Sequence, residues 1–508
     1  MRGSDRCVSP RMTGVGFGVA MAAALTLSTS LPAAAQSMDA LDALGADLFD
    51  PTLTADPATA PAKDGAAKTE AAPAKKAGAS KGVLEGLASN ATYQVEGYYV
   101  WMPQRFSDRR VNDDKGEAWS RATVTTHTNL ADDVVFKLKA HALANTQVSD
   151  HEGAFRQPGS HDTKAAWVDL DQAALTYEQP SWQALIGKEE LKTGLSTLYS
   201  PANRFQPGYT AFAPNAFKTG TWQARTDLYI NNDTLQAVAM PFDDHGSVPA
   251  TGSRWLGAGG NSYFSSLPAN IPADADIIET FRGTAPDEWG YLLNYKATRQ
   301  GYDWFAYAHR GPGAYPVITR RDVASGNPLA PTVPVFEMRY PTAWSFAGGL
   351  TATVDRWEFH GEAIYQKTVH DMDQDFGKYV VGVSYRETEF ANSLGLDEIQ
   401  PVIEYAGEIV TDESSAAFIA ADSSSARTNR NAVISRVEVK VNSDLLFYGG
   451  VSRSLVDRDT AVTTGGWYEF SDDFKVTLDI AMFSGEPDTN FGRWTRNDYV
   501  KVGAKKSF

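Results

Sequence analysis

From Ala91 to the end of the chain, apolar and polar residues alternate with a period of two, run after run. Val134, Phe136, Leu138 and Ala140 alternate with Val135, Lys137, Lys139 and His141. Phe474, Val476, Leu478, Ile480 and Met482 alternate with Lys475, Thr477, Asp479 and Ala481. Trp357, Phe359 and Tyr365 share one face, and Glu358, His360 and Glu362 the other. Val437, Val439 and Val441 alternate with Arg436, Glu438 and Lys440. Side chains of a β-strand point to opposite faces in turn, so each run is a strand with one apolar and one polar face. This restricts residues 91–508 to an all-β architecture.

The connections follow a second pattern. Short Asn/Asp/Gly/Pro-type turns stand at Asn129–Asp132, Gln179–Ser181, Asn231–Asp233, Arg299–Gly301, Asp355, Asn392–Glu398, Asn442–Asp444 and Ser471–Asp473. Between them lie longer polar segments near 102–116, 148–163, 190–218, 241–286, 312–341, 368–376, 410–430, 455–461 and 485–496. Short and long connections alternate strictly, as in a transmembrane antiparallel β-barrel with short periplasmic turns and long external loops. Eight short turns and nine long loops join eighteen strands, an even number; sixteen is the other count considered. Aromatic residues near strand ends (Tyr98, Tyr99, Trp101, Trp119, Trp167, Tyr177, Trp182, Trp222, Trp289 and Trp357) are expected as interfacial girdles.

Composition narrows the function. Lys and Arg total 46 against 62 Asp and Glu, a formal charge of −16, which argues against a nucleic-acid partner. The single cysteine, Cys7, lies near the N-terminus, so the rest of the chain has no disulfide, thiolate metal site or cysteine nucleophile. Mean hydropathy is −0.33, too polar for a helical membrane protein but ordinary for a barrel, in which only alternate residues are apolar.

Arg2, Arg6 and Arg11 precede an apolar run from Val15 to about Leu27, then Leu31-Pro32-Ala33-Ala34-Ala35. A basic stretch, a short apolar core and an Ala-x-Ala end predict a cleaved secretory signal peptide over residues 1–35. Residues 36–90 are expected to hold a short amphipathic helix from Met38 to Leu48 and an Ala/Pro/Lys-rich periplasmic linker. The barrel takes 91–508.

The chain closes with Asp498-Tyr499-Val500-Lys501-Val502-Gly503-Ala504-Lys505-Lys506-Ser507-Phe508. This strand resembles the C-terminal signal of outer-membrane barrel proteins, with Lys506 where those show an apolar residue. The resemblance implies recognition of Phe508 by a barrel-assembly machinery. By its size the barrel resembles eighteen-stranded substrate-specific porins and alginate-export-like channels of Gram-negative outer membranes. Leu185-Ile186-Gly187-Lys188-Glu189, followed by Tyr199-Ser200-Pro201-Ala202-Asn203-Arg204-Phe205-Gln206-Pro207, is similar to the strand and third loop of such proteins, with Asn and Pro in a different order. That likeness implies an outer-membrane location, contact with lipid and lipopolysaccharide, and a third loop (190–218) folded into the pore. Lys192, Tyr199, Arg204, Tyr209, Phe212 and Phe217 are then the constriction residues. Homo-oligomers are usual among porins, but the sequence marks no interface.

Pore-lining charges follow from the polar faces. Arg121, Lys137, Lys139, His141, Lys475, Lys501 and Lys505 would form a basic wall, together with His127. Glu358, Glu362, Glu404 and Glu408 would form an acidic wall across the ring. Opposed walls set up a transverse field that favours polar solutes; the alternative is that each charge pairs with a neighbour. The longest loop, 241–286, carries Asp243, Asp244, Asp274, Asp276 and Glu279 without the spacing of a calcium site and is expected to be a solvated acidic loop.

No nucleophile-base motif, metal-binding helix or phosphate loop occurs, so an enzyme is not expected, and neither a cofactor nor a metal is called for. The function expected is passive diffusion of small hydrophilic solutes. The alternative is export of an acidic polysaccharide, which requires a continuous basic lining.

Overall fold

The computed structural model describes residues 82–105, 114–146, 165–206, 208–209, 217–242, 254–255, 277–279, 284–314, 317–327, 330–371, 373–412, 429–486 and 489–508. The expected leader, the helix over 38–48 and the linker over 52–81 lie outside the described residues.

Eighteen strands form the wall. They are β1 (Thr92–Trp101), β2 (Gly116–Ala131), β3 (Val134–Asn145), β4 (Ala166–Gln179), β5 (Trp182–Glu189) and β6 (Thr221–Ile230). Next come β7 (Asp233–Met240), β8 (Gly290–Arg299), β9 (Tyr302–Pro312), β10 (Thr342–Val354), β11 (Trp357–Thr368) and β12 (Asp375–Tyr385). The last six are β13 (Glu398–Asp412), β14 (Asn431–Asn442), β15 (Leu445–Ser454), β16 (Thr460–Ser471), β17 (Phe474–Ser484) and β18 (Tyr499–Ser507). Each pairs antiparallel with the next in sequence, and β18 pairs with β1, Tyr98 opposite Gly503, so the sheet closes without an edge. The eighteen-stranded count read from the turns is the one found.

The short turns fall where the Asn, Asp and Gly residues predict. Asn231 (φ 58°), Gly301 (φ 85°) and Asp355 (φ 58°) adopt the left-handed conformation that tight hairpins demand. The 392–398 region differs from a simple turn. A five-residue helix, Glu389–Ser393, stands in it, held by Phe390 N–H donating to Glu387 Oε1 at 2.7 Å. The segment 312–341 also differs from the polar loop expected. Val317–Asn327 and Ala330–Arg339 form an antiparallel hairpin, and Ile277–Glu279 adds parallel to its second strand. The run Val317-Ile318-Thr319-Arg320-Arg321-Asp322-Val323-Ala324 carries no period-two alternation, so the pattern that marks the wall strands does not mark this hairpin.

Alternation decides the two faces. On β11, Trp357, Phe359 and Tyr365 are 46%, 50% and 37% exposed, while His360, Glu362, Ile364 and Gln366 are buried inside. Tyr93, Val95, Tyr99 and Trp101 of β1, Leu293 of β8, Phe346 of β10, Ile403 of β13, Phe447 of β15, and Leu478 and Met482 of β17 continue the exposed apolar face around the ring. A water-soluble barrel has the reverse arrangement; this exterior is what hydrocarbon requires.

Three residues expected in the aromatic girdles point inward instead. Trp119 and Trp167 are buried with Leu143, and Tyr98 stacks on Trp119 at 4.4 Å between ring centroids. They share parity with Glu96, Arg121 and Asp169, and a strand cannot turn one residue of such a series outward.

Candidate functional site

The interior between the strands is occupied by the third loop. It leaves the wall after β5, and Leu191 packs with Val238, Met240, Leu292, Phe305, Tyr307, Ala347 and Ile364, against which Leu195 and Phe205 also lie. Thr193 Oγ1 donates to Ala202 O at 2.6 Å, and Tyr307 Oη donates to the same carbonyl at 3.1 Å, pinching the loop into a narrow excursion.

Two carboxylates of the far wall receive that excursion. Glu362 of β11 accepts the backbone N–H of Leu195 (2.9 Å), Ser196 (3.2 Å) and Ala202 (3.0 Å) and the hydroxyl of Ser200 (2.6 Å). Glu404 of β13 accepts the N–H of Thr197 (3.0 Å), Leu198 (2.8 Å) and Tyr199 (2.9 Å). Five consecutive peptide groups are thus turned towards two buried anions, and the desolvation cost of each carboxylate is offset by charge-assisted bonds. Arg204 extends the attachment, its Nη1 donating to Gln366 Oε1 at 2.8 Å and its Nη2 to Pro312 O at 2.5 Å.

The loop returns on the other side. Gly208–Tyr209 pairs with Phe217–Lys218, and the Phe217 ring lies 4.1 Å from the Arg121 guanidinium of β2 and edge-on to His141 of β3. Strands β2 and β3 are far around the ring from β11 and β13, so the loop crosses the interior. Of the residues named for it, Tyr199 packs on a second apolar cluster, Arg204 is bonded to the wall, Phe217 sits on β2–β3, and Lys192 is exposed near the loop's origin. The side chain of Tyr209 and the whole of Phe212 lie outside the described residues.

That second cluster joins Leu198 of the loop to Val380, Val402, Ala406, Ile434, Ala461, Ala481, Phe483 and Tyr499 of the wall. Val100 and Met102 at the end of β1, Trp255 from the longest loop, and Phe491 and Trp494 from the last loop complete it. The adjacent Arg254 is 2% exposed, and its Nη2 donates to Gln104 O (2.7 Å) and Arg496 O (2.6 Å), tying three external segments together. The acidic residues 243, 244, 274 and 276 of the longest loop lie outside the described residues, as does the side chain of Glu279.

The charged residues named for the two walls do face inward, but most of them meet a group of opposite charge, usually on an adjoining strand. Arg121 bonds to Glu96, Lys139 lies 3.6 Å from Asp171, and His141 Nδ1 is 2.8 Å from the same carboxylate. Lys475 is 2.6 Å from Glu469, and Lys501 is 3.0 Å from Asp479. Lys505 lies in register between Glu96 and Lys475, and Lys137 is half-buried opposite His127. On the opposite arc Lys378 is 3.8 Å from Glu408, and Glu358 is 3.8 Å from His360. Glu362 and Glu404 serve as loop anchors rather than free pore charges. The neighbour-pairing alternative therefore describes most of the ring better than two uncompensated walls.

Glycines open the lanes that permit these contacts. Gly382 lies in register with His360 on one side and Glu404 on the other, and a Cβ there would be 2.3 Å from His360 Nε2. Gly465 likewise separates Tyr448 from Asp479, and the Tyr448 hydroxyl donates to Asp479 Oδ1 across β16. Glu96, Asp171, Asp479 and Gln366 carry roles the sequence reading missed, although their inward parity was legible. Arg254 and Trp255 had no such signal, standing in a loop without periodicity.

No family model matches this chain, and no curated protein matches it in sequence. Solved structures resemble it at low identity. OccAB1 of Acinetobacter baumannii is 7% identical, with a TM-score of 0.47, over 85% of this chain and 98% of that one. OmpT, an outer membrane protein of Vibrio cholerae, is 9% identical (TM-score 0.36; 82% and 98%), and a triple mutant of Rhodopseudomonas blastica porin is 12% identical (TM-score 0.36; 82% and 99%).

Proposed function

We propose that the chain is an outer-membrane channel for passive diffusion of small hydrophilic solutes, with the third loop setting its constriction. The observation that carries this reading is the loop's attachment: its backbone is bonded to Glu362 and Glu404, while Phe217 rests on the opposite arc. A loop anchored at both sides of a barrel divides the interior into narrow passages, and its position sets the size limit for solutes. The exposed apolar exterior supports placement in a bilayer, and the paired charges inside support passage of polar rather than apolar solutes. Export of an acidic polysaccharide is disfavoured, because Arg121, Lys139, Lys475 and Lys501 each stand beside a carboxylate instead of forming a continuous basic track.

Liposome swelling with neutral sugars of graded size tests this proposal. Uptake of small sugars and exclusion of larger ones is expected, with the limit relaxed in Glu362→Gln/Glu404→Gln protein. Identical uptake of all sizes, or none in either protein, would overturn it.

A further inference from the structure

The short helix α1 (Val83–Ser89) just before β1 sits on the wrong side of the wall for a plug. On β2, Arg121 bonds to Glu96 and carries Phe217, so the odd-numbered residues face inward. No irregularity interrupts the β2–β3 register before Asn129, so Thr126 and Thr128 face outward with the exposed Leu130. Both threonines are nevertheless buried, at 6% and 4% exposure, and α1 covers them. Thr126 Oγ1 donates to Leu87 O at 2.5 Å, and Asn90 Nδ2 donates to His127 O at 2.9 Å. Gly86 is the buried residue of the helix, and a Cβ there would stand 2.2 Å from Thr128 Oγ1.

The helix presents its smallest residue to the barrel and its apolar ones elsewhere. Val83 and Leu84 are 48% and 70% exposed. At 100° per residue, Val83, Leu84, Leu87 and Ala88 form one stripe, turned away from the Gly86 contact. A helix packed on a barrel in water would do the opposite. Here the stripe continues the exposed apolar exterior made by Tyr93, Val95 and Leu130, at the end of the wall where the short turns and the C-terminus lie. The threonine hydroxyl satisfies a carbonyl near the helix end, as a lipid-contacting helix needs.

We infer that α1 is an interfacial anchor whose Val83–Leu84 face enters the headgroup–acyl boundary of the inner leaflet beside β2. The partner is lipid, and residue 82 enters the helix outside the barrel rather than through its lumen. The inference rests on the barrel lying in a bilayer, so its test reads that placement separately.

The single cysteine makes site-directed spin labelling clean. In a Cys7→Ser background, nitroxides at Leu84→Cys and at the outward strand position Val95→Cys are compared in bilayers for collision with oxygen and with a water-soluble nickel chelate. Both labels are expected to be oxygen-accessible and shielded from nickel. Adding Gly86→Val, which cannot seat against Thr128, should return the label at 84 to nickel while leaving that at 95 unchanged. A disulfide in Gly86→Cys/Thr128→Cys protein should form once α1 moves outward by a few tenths of an ångström, since the added Cβ stands 3.1 Å from Thr128 Cβ, slightly closer than a disulfide sets. A lipid signal at 95 with nickel access at 84 would overturn the anchor alone. So would dipolar broadening between labels at 84, which would make this face an interface between copies. Nickel access at both sites would overturn the anchor and the bilayer placement together.

Discussion

His360 Nε2 lies 2.8 Å from Oε1 of Glu404, although the two residues stand on β11 and β13 with β12 between them. The bond passes over Gly382, the intervening residue in register with both. Glu404 is thus fixed from one side by an imidazole and from the other by three peptide N–H groups of the third loop.

Gly382→Ala is expected to destabilise the folded barrel by about 1–3 kcal/mol, since the added methyl overpacks a filled lane. Glu404 would be displaced with it. A lower temperature for loss of the compact form in heat-modifiability gels is the readout, with Gly377→Ala as control, where a Cβ meets nothing nearer than 3.8 Å.

Replacing Glu362 and Glu404 by Gln removes the charge from seven loop hydrogen bonds and turns an amide NH2 towards N–H donors. Hydrogen bonds to a charged group contribute about 1.5–3 kcal/mol each, so the loop should detach locally without unfolding the wall. Faster tryptic cleavage after Arg204 and noisier single-channel current are expected. Cleavage at the unmodified rate would mean that the apolar packing of Leu191, Leu195 and Leu198 suffices.

Lys137→Glu/Lys139→Glu should shift ion selectivity towards cations. Lys139 neighbours Asp171, and reversing both lysines places two further negative charges beside that carboxylate on the interior face. The reversal potential under a salt gradient is the measurement; an unchanged value would place these residues away from the ion path.

Burial pushes the Asp459 carboxyl above the ordinary carboxylate range, even though it accepts the Phe491 N–H. Burial likewise raises Asp498, which accepts the Phe483 N–H. Because the folded state holds these protons more tightly than the unfolded one, their contribution is full at acid pH and is lost as pH rises through the raised values. Asp473, held low by the Lys506 ammonium, acts in the opposite sense: its contribution is present above the ordinary carboxylate value and is lost as pH falls through the lowered one. Asp459→Asn should therefore flatten the decline in thermal stability as pH rises through and above the ordinary carboxylate range. A decline as steep as in the unmodified protein would contradict this.

Strand number and turn positions were legible because both signals are local. Period-two alternation and the Asn, Asp and Gly residues of the turns act within a few residues. Parity also identified Lys139, His141, Glu362 and Glu404 as inward-facing. It could not say what they meet, because Glu362 bonds to residues some 160 positions earlier in the chain and Arg204 to the carbonyl of Pro312. Trp119 and Trp167 show the converse error, in which residue type suggested the membrane interface and parity ruled otherwise. The 317–339 hairpin was read as loop because its strands lie beyond the alternating long and short connections that defined the wall.

The central claim is a pore partitioned by an anchored third loop. Single-channel recording of the purified protein in a planar bilayer, beside the Glu362→Gln/Glu404→Gln variant, tests it most directly. The account predicts stable ohmic openings in both, larger and noisier in the variant. Identical conductance and noise in the two proteins, or no conductance in either, would contradict it.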